Sequence, residues 1–232
     1  MDGEFIRLEA KRYARSNRKN YVKKFILDES ISENPIAIFM GGSPGAGKTE
    51  TSKGFIDHSL RSGVVISRID PDEIRNTLPG YTGDNSSLFQ HASSLAASNL
   101  ILHCIKHKNN FLFDSTLSNY ESIRNDILKC IDNGFSLVII YVHQDPIMSY
   151  KFTKERRELD RRHITKEVFI NSLFKSLESV KKLHVEFNSN ISFFVIHKDI
   201  LKDSAKPYFG FDKIDRYIRI EYSKDELRKV LD

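Results

Sequence analysis

Two cysteines are all that this sequence of 232 residues contains, and they stand apart as Cys104 and Cys130. Both lie in segments of helical periodicity and neither belongs to a C-x-x-C pair, so the thiols point to a reducing compartment, the cytoplasm. No run of 18 apolar residues occurs and no signal-peptide apolar region opens the chain, so neither a membrane span nor secretion is expected. The first 27 residues are rich in Lys and Arg, as organellar presequences are, but Asp2, Glu4 and Glu9 interrupt the charge. A structured amphipathic helix fits them better. A large excess of one charge is missing too: 36 Lys plus Arg stand against 31 Asp plus Glu, a net +5. Such a mild excess is common in proteins that bind phosphorylated small molecules and does not require nucleic acid. The aromatic-interleaved basic patch of single-strand binders is absent, so nucleic acid is not an expected partner. Internal repeats and low-complexity tracts are absent as well.

What is present is a globular composition, 40% apolar with 16 Phe, in a length that suits one α/β domain with additions. The chain is organised around 35–52, "PIAIFMGGSPGAGKTETS". A short apolar run is followed by a glycine-rich turn and then by a helical pattern opening at Lys48 and Thr49. Gly42, Gly47, Lys48 and Thr49 fit G-x-x-x-x-G-K-[ST]. Glycines let the backbone turn tightly and offer successive N–H groups to phosphate oxygens, while the new helix points its positive end at the same anion. Gly42, Ser43, Pro44, Gly45, Ala46 and Gly47, with Lys48, Thr49 and Glu50 behind them, are therefore the candidate nucleotide site. Lys48 would bridge the β- and γ-phosphates and Thr49 would set its hydroxyl on Mg²⁺. Gly41, Ser43 and Gly45 also satisfy the G-x-S-x-G of serine hydrolases, but that elbow needs a backbone N–H after the serine. Pro44 has none.

Periodicity predicts helices over 5–27, 48–60, 88–107, 120–132, 147–160 and 166–187, and strands over 36–40, 64–69, 111–114, 136–142 and 191–196. Beyond 198 the pattern weakens, and 211–231 is expected to close as one strand or helix and a final helix. Strands alternating with helices imply a mostly parallel sheet of about five strands with helices on both faces. That is the nucleoside-kinase-like type of phosphate-loop (P-loop) nucleoside-triphosphate-hydrolase fold. The expected organisation is one domain, with a helical extension over 1–34, a core over 35–199 and an addition over 200–232.

Phosphoryl transfer to a hydroxyl needs positioning, charge neutralisation and a base. Asp70 and Asp72 follow directly on a strand, where parallel sheets face their ligands, and Asp72 could accept the hydroxyl proton. It could equally cap the helix that follows. Asp114, ending the strand "FLFD", could hold the Mg²⁺ water shell, bind a substrate hydroxyl together with Thr116, or simply shape a turn. Arg156, Arg157, Arg161 and Arg162 crowd 153–167, where a lid carrying their rigid forks could close over phosphate. A solvated helix face laced with Glu155, Glu158 and Asp160 is the plain alternative. His103 and His107 share a helix face but lack an acidic third ligand, so zinc is not expected. "IHKD" at 196–199 echoes the guanine-reading N-K-x-D, without its Asn or its spacing.

"GGSPGAGKTE", "RIDPDEIRNTLPGY", "FLFDSTLSNY", "YVHQDP" and "FTKERRELDRRHITKEVF", in that order, resemble the zeta toxin family of bacterial kinases over about residues 5–199. The resemblance implies phosphorylation of a sugar hydroxyl, that of UDP-N-acetylglucosamine in the best-known members, using ATP or GTP with Mg²⁺. It gives Lys48 and Thr49 the phosphate-loop roles, Asp72 that of the catalytic base, and Arg156 and Arg162 contact with the transferring phosphate. Asp114 and Thr116 align with a substrate-site acid and threonine. This block usually reads E-G-T, so Asp114 and Ser115 depart from it. No stretch resembles the small helical antitoxin, so a neutralising partner would be another chain. The expected activity is ATP-dependent phosphorylation of a small-molecule hydroxyl, with a UDP-sugar first. The rivals are another acceptor (antibiotic, nucleoside or polynucleotide 5′ end) and a nucleotide-binding switch that transfers nothing.

Overall fold

A computed structural model describes residues 2–199, 204–209 and 218–231. Two helices, α1 (Gly3–Ser16) and α2 (Arg18–Phe25), precede the first strand, β1 (Ile36–Gly41). Then follow α3 (Lys48–Arg61), β2 (Ser67–Ile69), α4 (Pro71–Arg75), α5 (Ser86–His107), β3 (Phe111–Asp114), α6 (Tyr120–Asp132) and β4 (Ser136–His143). The chain continues through α7 (Pro146–Asp160), α8 (Lys166–Phe187), β5 (Ile191–Asp199), β6 (Ser204–Phe209) and α9 (Lys224–Val230).

The strands form one sheet in the order β2-β3-β1-β4-β5-β6, and the first five run parallel. A parallel strand is covered on both faces, which is why β1 reads as a continuous apolar run. Its alternate residues feed two cores. Ala37 and Phe39 pack with α5, α6 and the second half of α8, while Ile38 and Met40 pack with Phe55 and Ile56 of α3. A third cluster joins Tyr150 of α7, Phe169 and Leu173 of α8, and Leu227 of α9. The N-terminal helices rest on the main core through the buried Ala10, Ala14 and Tyr21. No helix among the described residues is long and apolar enough to cross a membrane.

The mostly parallel sheet with helices on both faces is as expected. Among the described residues it gains a sixth strand beyond the five read from the sequence, because β6 pairs antiparallel with β5 from Asp199↔Ser204 to Phe194↔Phe209. "SAKPYF" carries a proline and little alternation, which an edge strand tolerates and which hides it in the sequence. The second strand begins at Ser67 rather than at residue 64. The Asn110 side chain explains this: its amide donates to the Val65 carbonyl and its oxygen accepts from the Ile36 N–H. A side chain thus takes the hydrogen bond that a ladder would need. In the C-terminal part the final helix is α9, and 210–217 lie outside the described residues.

Candidate active site

Register sets the site. Met40 pairs with Asp114 and Ile69 with Phe113, so Asp70 and Asp114 emerge side by side at the carboxyl ends of β2 and β3, next to the loop leaving β1. Parallel sheets bind ligands at that edge. The loop needs its glycines for a steric reason. Gly45 has φ +74°, and a Cβ there would lie 2.0 Å from the Ser149 carbonyl oxygen. Lys48 Nζ curls over this loop and donates to the carbonyls of Gly42 at 3.0 Å and Ser43 at 2.8 Å. Burial lowers its pKa, and the carboxylates of Asp114, Asp72 and Asp70 pull the other way.

Beneath the carboxylates lies Arg68, a residue that sequence reasoning passed over. Its guanidinium donates to Asp70 Oδ2 at 2.7 Å, Asp114 Oδ2 at 2.6 Å, Glu73 Oε1 at 2.5 Å and Ser52 Oγ at 2.8 Å. Ser52 Oγ in turn donates to Asp114 Oδ2 at 2.8 Å. Asp114 is therefore held from below on one oxygen, which joins α3, β2 and β3. Burial and the nearby Asp72 and Asp114 push the Asp70 carboxyl up to about 6, against the pull of Arg68.

Asp70, not Asp72, caps α4, accepting the Asp72 N–H on Oδ1 at 2.7 Å, with Pro71 at the first helical position. The capping alternative for Asp72 is thereby removed. Its carboxylate, 37% exposed, turns into the cleft between two arginines. Arg75 Nη2 reaches Oδ1 at 2.9 Å and Arg162 Nη1 bonds Oδ2. Burial raises the Asp72 pKa, but Arg162, Arg75 and Arg156 outweigh it and hold the group below its ordinary value, ionised.

A cleft of about 850 Å³ joins these groups. Pro44, Gly45, Gly47, Lys48, Thr49 and Glu50 line one part, and Arg156 and Arg162 overhang it. Gln90, Ser94 and Ser98 of α5, with Ser115, Thr116, Asn119, Ser122 and Asp126, line the part beyond Asp72. Thr116 Oγ1 is bonded to Ser118 Oγ at 2.8 Å. Arg157 and Arg161 are exposed and do not line the cleft, whereas Arg156 and Arg162 do, so the cluster divides between cleft-lining and solvent-side arginines. The His103 and His107 rings stack 4.3 Å apart on α5, and no set of three metal-ligating residues occurs among the described residues. Lys198, from the "IHKD" stretch, does enter the cleft and donates to the Gly47 carbonyl at 2.8 Å. That faint motif was the one available signal for it; Arg68, Arg75 and Gln90 had none.

Residues 22–203 match the family model described as zeta toxin. This chain belongs to the zeta toxin family. The match begins inside α2 and takes in the whole phosphate loop; α1 precedes it. Among solved structures, the zeta toxin fold here resembles that reported for the PezAT chromosomal toxin-antitoxin system of Streptococcus pneumoniae. The TM-score is 0.67 at 19% identity, over 94% of this chain and 91% of that one. It also resembles the AvrRxo1-ORF1:-ORF2 complex, with a TM-score of 0.61 at 12% identity over 93% and 70% of the two chains. The same complex with ATP gives 0.57 at 12% identity over 88% and 65%. At such identities these likenesses speak for the fold. No curated protein matches the sequence significantly.

Proposed function

We propose that this zeta toxin family chain is a kinase that transfers the γ-phosphoryl group of ATP or GTP to a hydroxyl of a small molecule. A UDP-sugar such as UDP-N-acetylglucosamine is the first acceptor to test, on the family resemblance. The observation that carries the reading is Asp72: an ionised, cleft-facing carboxylate beside the phosphate-loop lysine, met by an arginine 90 residues further along the chain. In the reaction the acceptor oxygen bonds to the γ-phosphorus as the bond to the β–γ bridging oxygen breaks. The hydroxyl proton passes to Asp72, and the nucleoside diphosphate leaves. Lys48, Arg156 and Arg162 offset the charge on the moving group.

Mg²⁺ fits the donors here. The Thr49 hydroxyl and the Asp114 carboxylate line the same cleft, hard oxygen donors that leave most coordination to nucleotide phosphates and water. Bound there, the ion would supply charge neutralisation between the β- and γ-phosphates. If an antitoxin exists, it is a separate chain. The toxin-antitoxin system in which the PezAT structure was described supports looking for one.

The test is incubation of the purified chain with ATP, Mg²⁺ and a panel of UDP-sugars, nucleosides, antibiotics and oligonucleotides, reading each acceptor for one added phosphate by mass. Transfer lost in both Lys48→Ala and Asp72→Asn is expected. Undiminished transfer in either variant would sink the mechanism. ATP binding with no acceptor modified, and a cellular effect that survives Asp72→Asn, would favour the switch.

A further inference from the structure

Arg75 leads the fully buried side chains by volume, at 1% exposure, yet it carries a charge. Its Nη2 is shared between Asp72 Oδ1, at 2.9 Å, and Gln90 Oε1 of α5, at 2.6 Å. Its Nε is buried without a hydrogen-bond partner. Stability alone does not call for such a residue, because burying a guanidinium with an unsatisfied donor is unfavourable and an apolar side chain of that volume packs as well or better. The sequence places it one turn after Asp72, so both side chains lie on the same face of α4.

We propose that Arg75 is a positioning residue for the base, clamping Asp72 Oδ1 while Gln90, which lines the acceptor part of the cleft, steadies the clamp. The proposal rests on the kinase reading in which Asp72 is the base. The two oxygens of Asp72 then have different tasks. Oδ1 stays on a partner fixed in the core. Oδ2 is held by Arg162, from the turn after α7, until that arginine moves to the transferring phosphate and leaves the oxygen to the acceptor hydroxyl. Arg75 thus prevents the carboxylate from following Arg162.

The charged groups facing Asp72 are Arg75 on its own helix, Asp70 at the cap of that helix, Lys48 from α3, and Arg156 and Arg162 from α7 and the turn beyond it. Arg162 and Arg156 remain in an Arg75 variant, so the loss of Arg75 has a readable, partial effect. Carbon-13 NMR of Asp-labelled protein follows the Asp72 carboxyl, identified by its loss in Asp72→Asn. In Arg75→Met its titration midpoint is expected to rise by about one pH unit, as removal of one adjacent opposite charge does. The kcat for ADP release, with UDP-N-acetylglucosamine as acceptor or water otherwise, is expected to fall at least tenfold while KM for ATP holds. Arg75→Lys should restore the midpoint and part of kcat. Gln90→Ala, at an exposed position, serves if Arg75→Met fails to fold; it should lower kcat without changing KM for ATP. An Asp72 midpoint unmoved by Arg75→Met, or kcat unchanged in Gln90→Ala, overturns the positioning role. A midpoint that moves in protein whose Asp72→Asn variant still transfers phosphate overturns the reading of Asp72 as the base instead, and protein that modifies no acceptor overturns the kinase reading.

Discussion

Lys198 Nζ donates to the Gly47 carbonyl at 2.8 Å, tying the end of β5 to the last residue of the phosphate loop across 151 positions of sequence. Asp70 and Asp114 come from the ends of β2 and β3, on one flank of β1, whereas Lys198 comes from the other. Its ammonium therefore braces the loop from the flank opposite Asp72. Burial lowers its pKa and Glu50 works against that.

Removing that brace should loosen nucleotide binding. A hydrogen bond from a charged donor contributes about 1.5–3 kcal/mol, or roughly one to two powers of ten in affinity. Lys198→Met keeps most of the stem and deletes the ammonium, so ATP affinity by calorimetry is expected to fall within that range. An affinity equal to that of the parent chain would show that the contact is incidental.

Arg68 is expected to matter more for the fold than for chemistry. Asp70 and Asp114 are 6% and 4% exposed, and Arg68 lies between them with its own side chain 10% exposed. Breaking a buried pair by deleting one partner costs about 3–5 kcal/mol, because it leaves charge without compensation. Arg68→Met should lose that much in denaturant unfolding at neutral pH and lose less under mild acid, where Asp70 takes up a proton. Equal losses at both would show that packing, not charge, is what Arg68 supplies.

The parts of this site visible in the sequence are those where one residue type has one job. The phosphate loop, Asp72 and the arginine-rich segment follow from glycine conformational freedom, from the position past a strand and from the guanidinium fork. Nearly every helix and strand was legible too, since apolar periodicity is a local property. What was not legible depends on register. Only once Ile69 lies beside Phe113 do Asp70 and Asp114 converge on one arginine, and no local pattern marks Arg68 as that residue. The edge strand β6 was missed for the opposite reason: its hydrogen bonds come entirely from β5, and its own residues show little preference for a strand.

Asp70 gives stability a falling slope with pH. Its pKa is about 6 in the folded chain against an ordinary 3.8, so between those values the native state binds a proton that the unfolded chain has released. Stability contributed by that proton is present below 3.8 and is lost as pH rises through about 6, roughly 3 kcal/mol in all. Asp70→Asn keeps the cap, since Asn caps helices as well as Asp does. Unfolding measured across this window should lose its downward component in the variant; a slope identical to the parent's would mean that Asp70 is ionised throughout.

His143 acts in the same window with the opposite sign. It ends β4, is 6% exposed and its ring lies tilted against that of His197, with centroids 4.9 Å apart. Burial lowers its pKa to about 4 from 6.5, with His197 adding to the shift and Asp145 opposing it. Between those values the unfolded chain binds a proton that the native imidazole refuses. Its neutral form therefore supports the fold above pH 6.5 and loses that advantage progressively as pH falls toward about 4. In the parent chain this loss on acidification offsets the gain from Asp70, so the total slope is shallow and conceals both. His143→Gln removes one of the two opposing slopes, and the Asp70 slope should then stand exposed, with the variant gaining stability relative to the parent as acid is added. Combined with Asp70→Asn, the remaining slope should be flat. If His143→Gln instead follows the parent curve at every pH, the imidazole takes up its proton at the same pH in the folded chain as in the unfolded one, and burial does not hold it neutral.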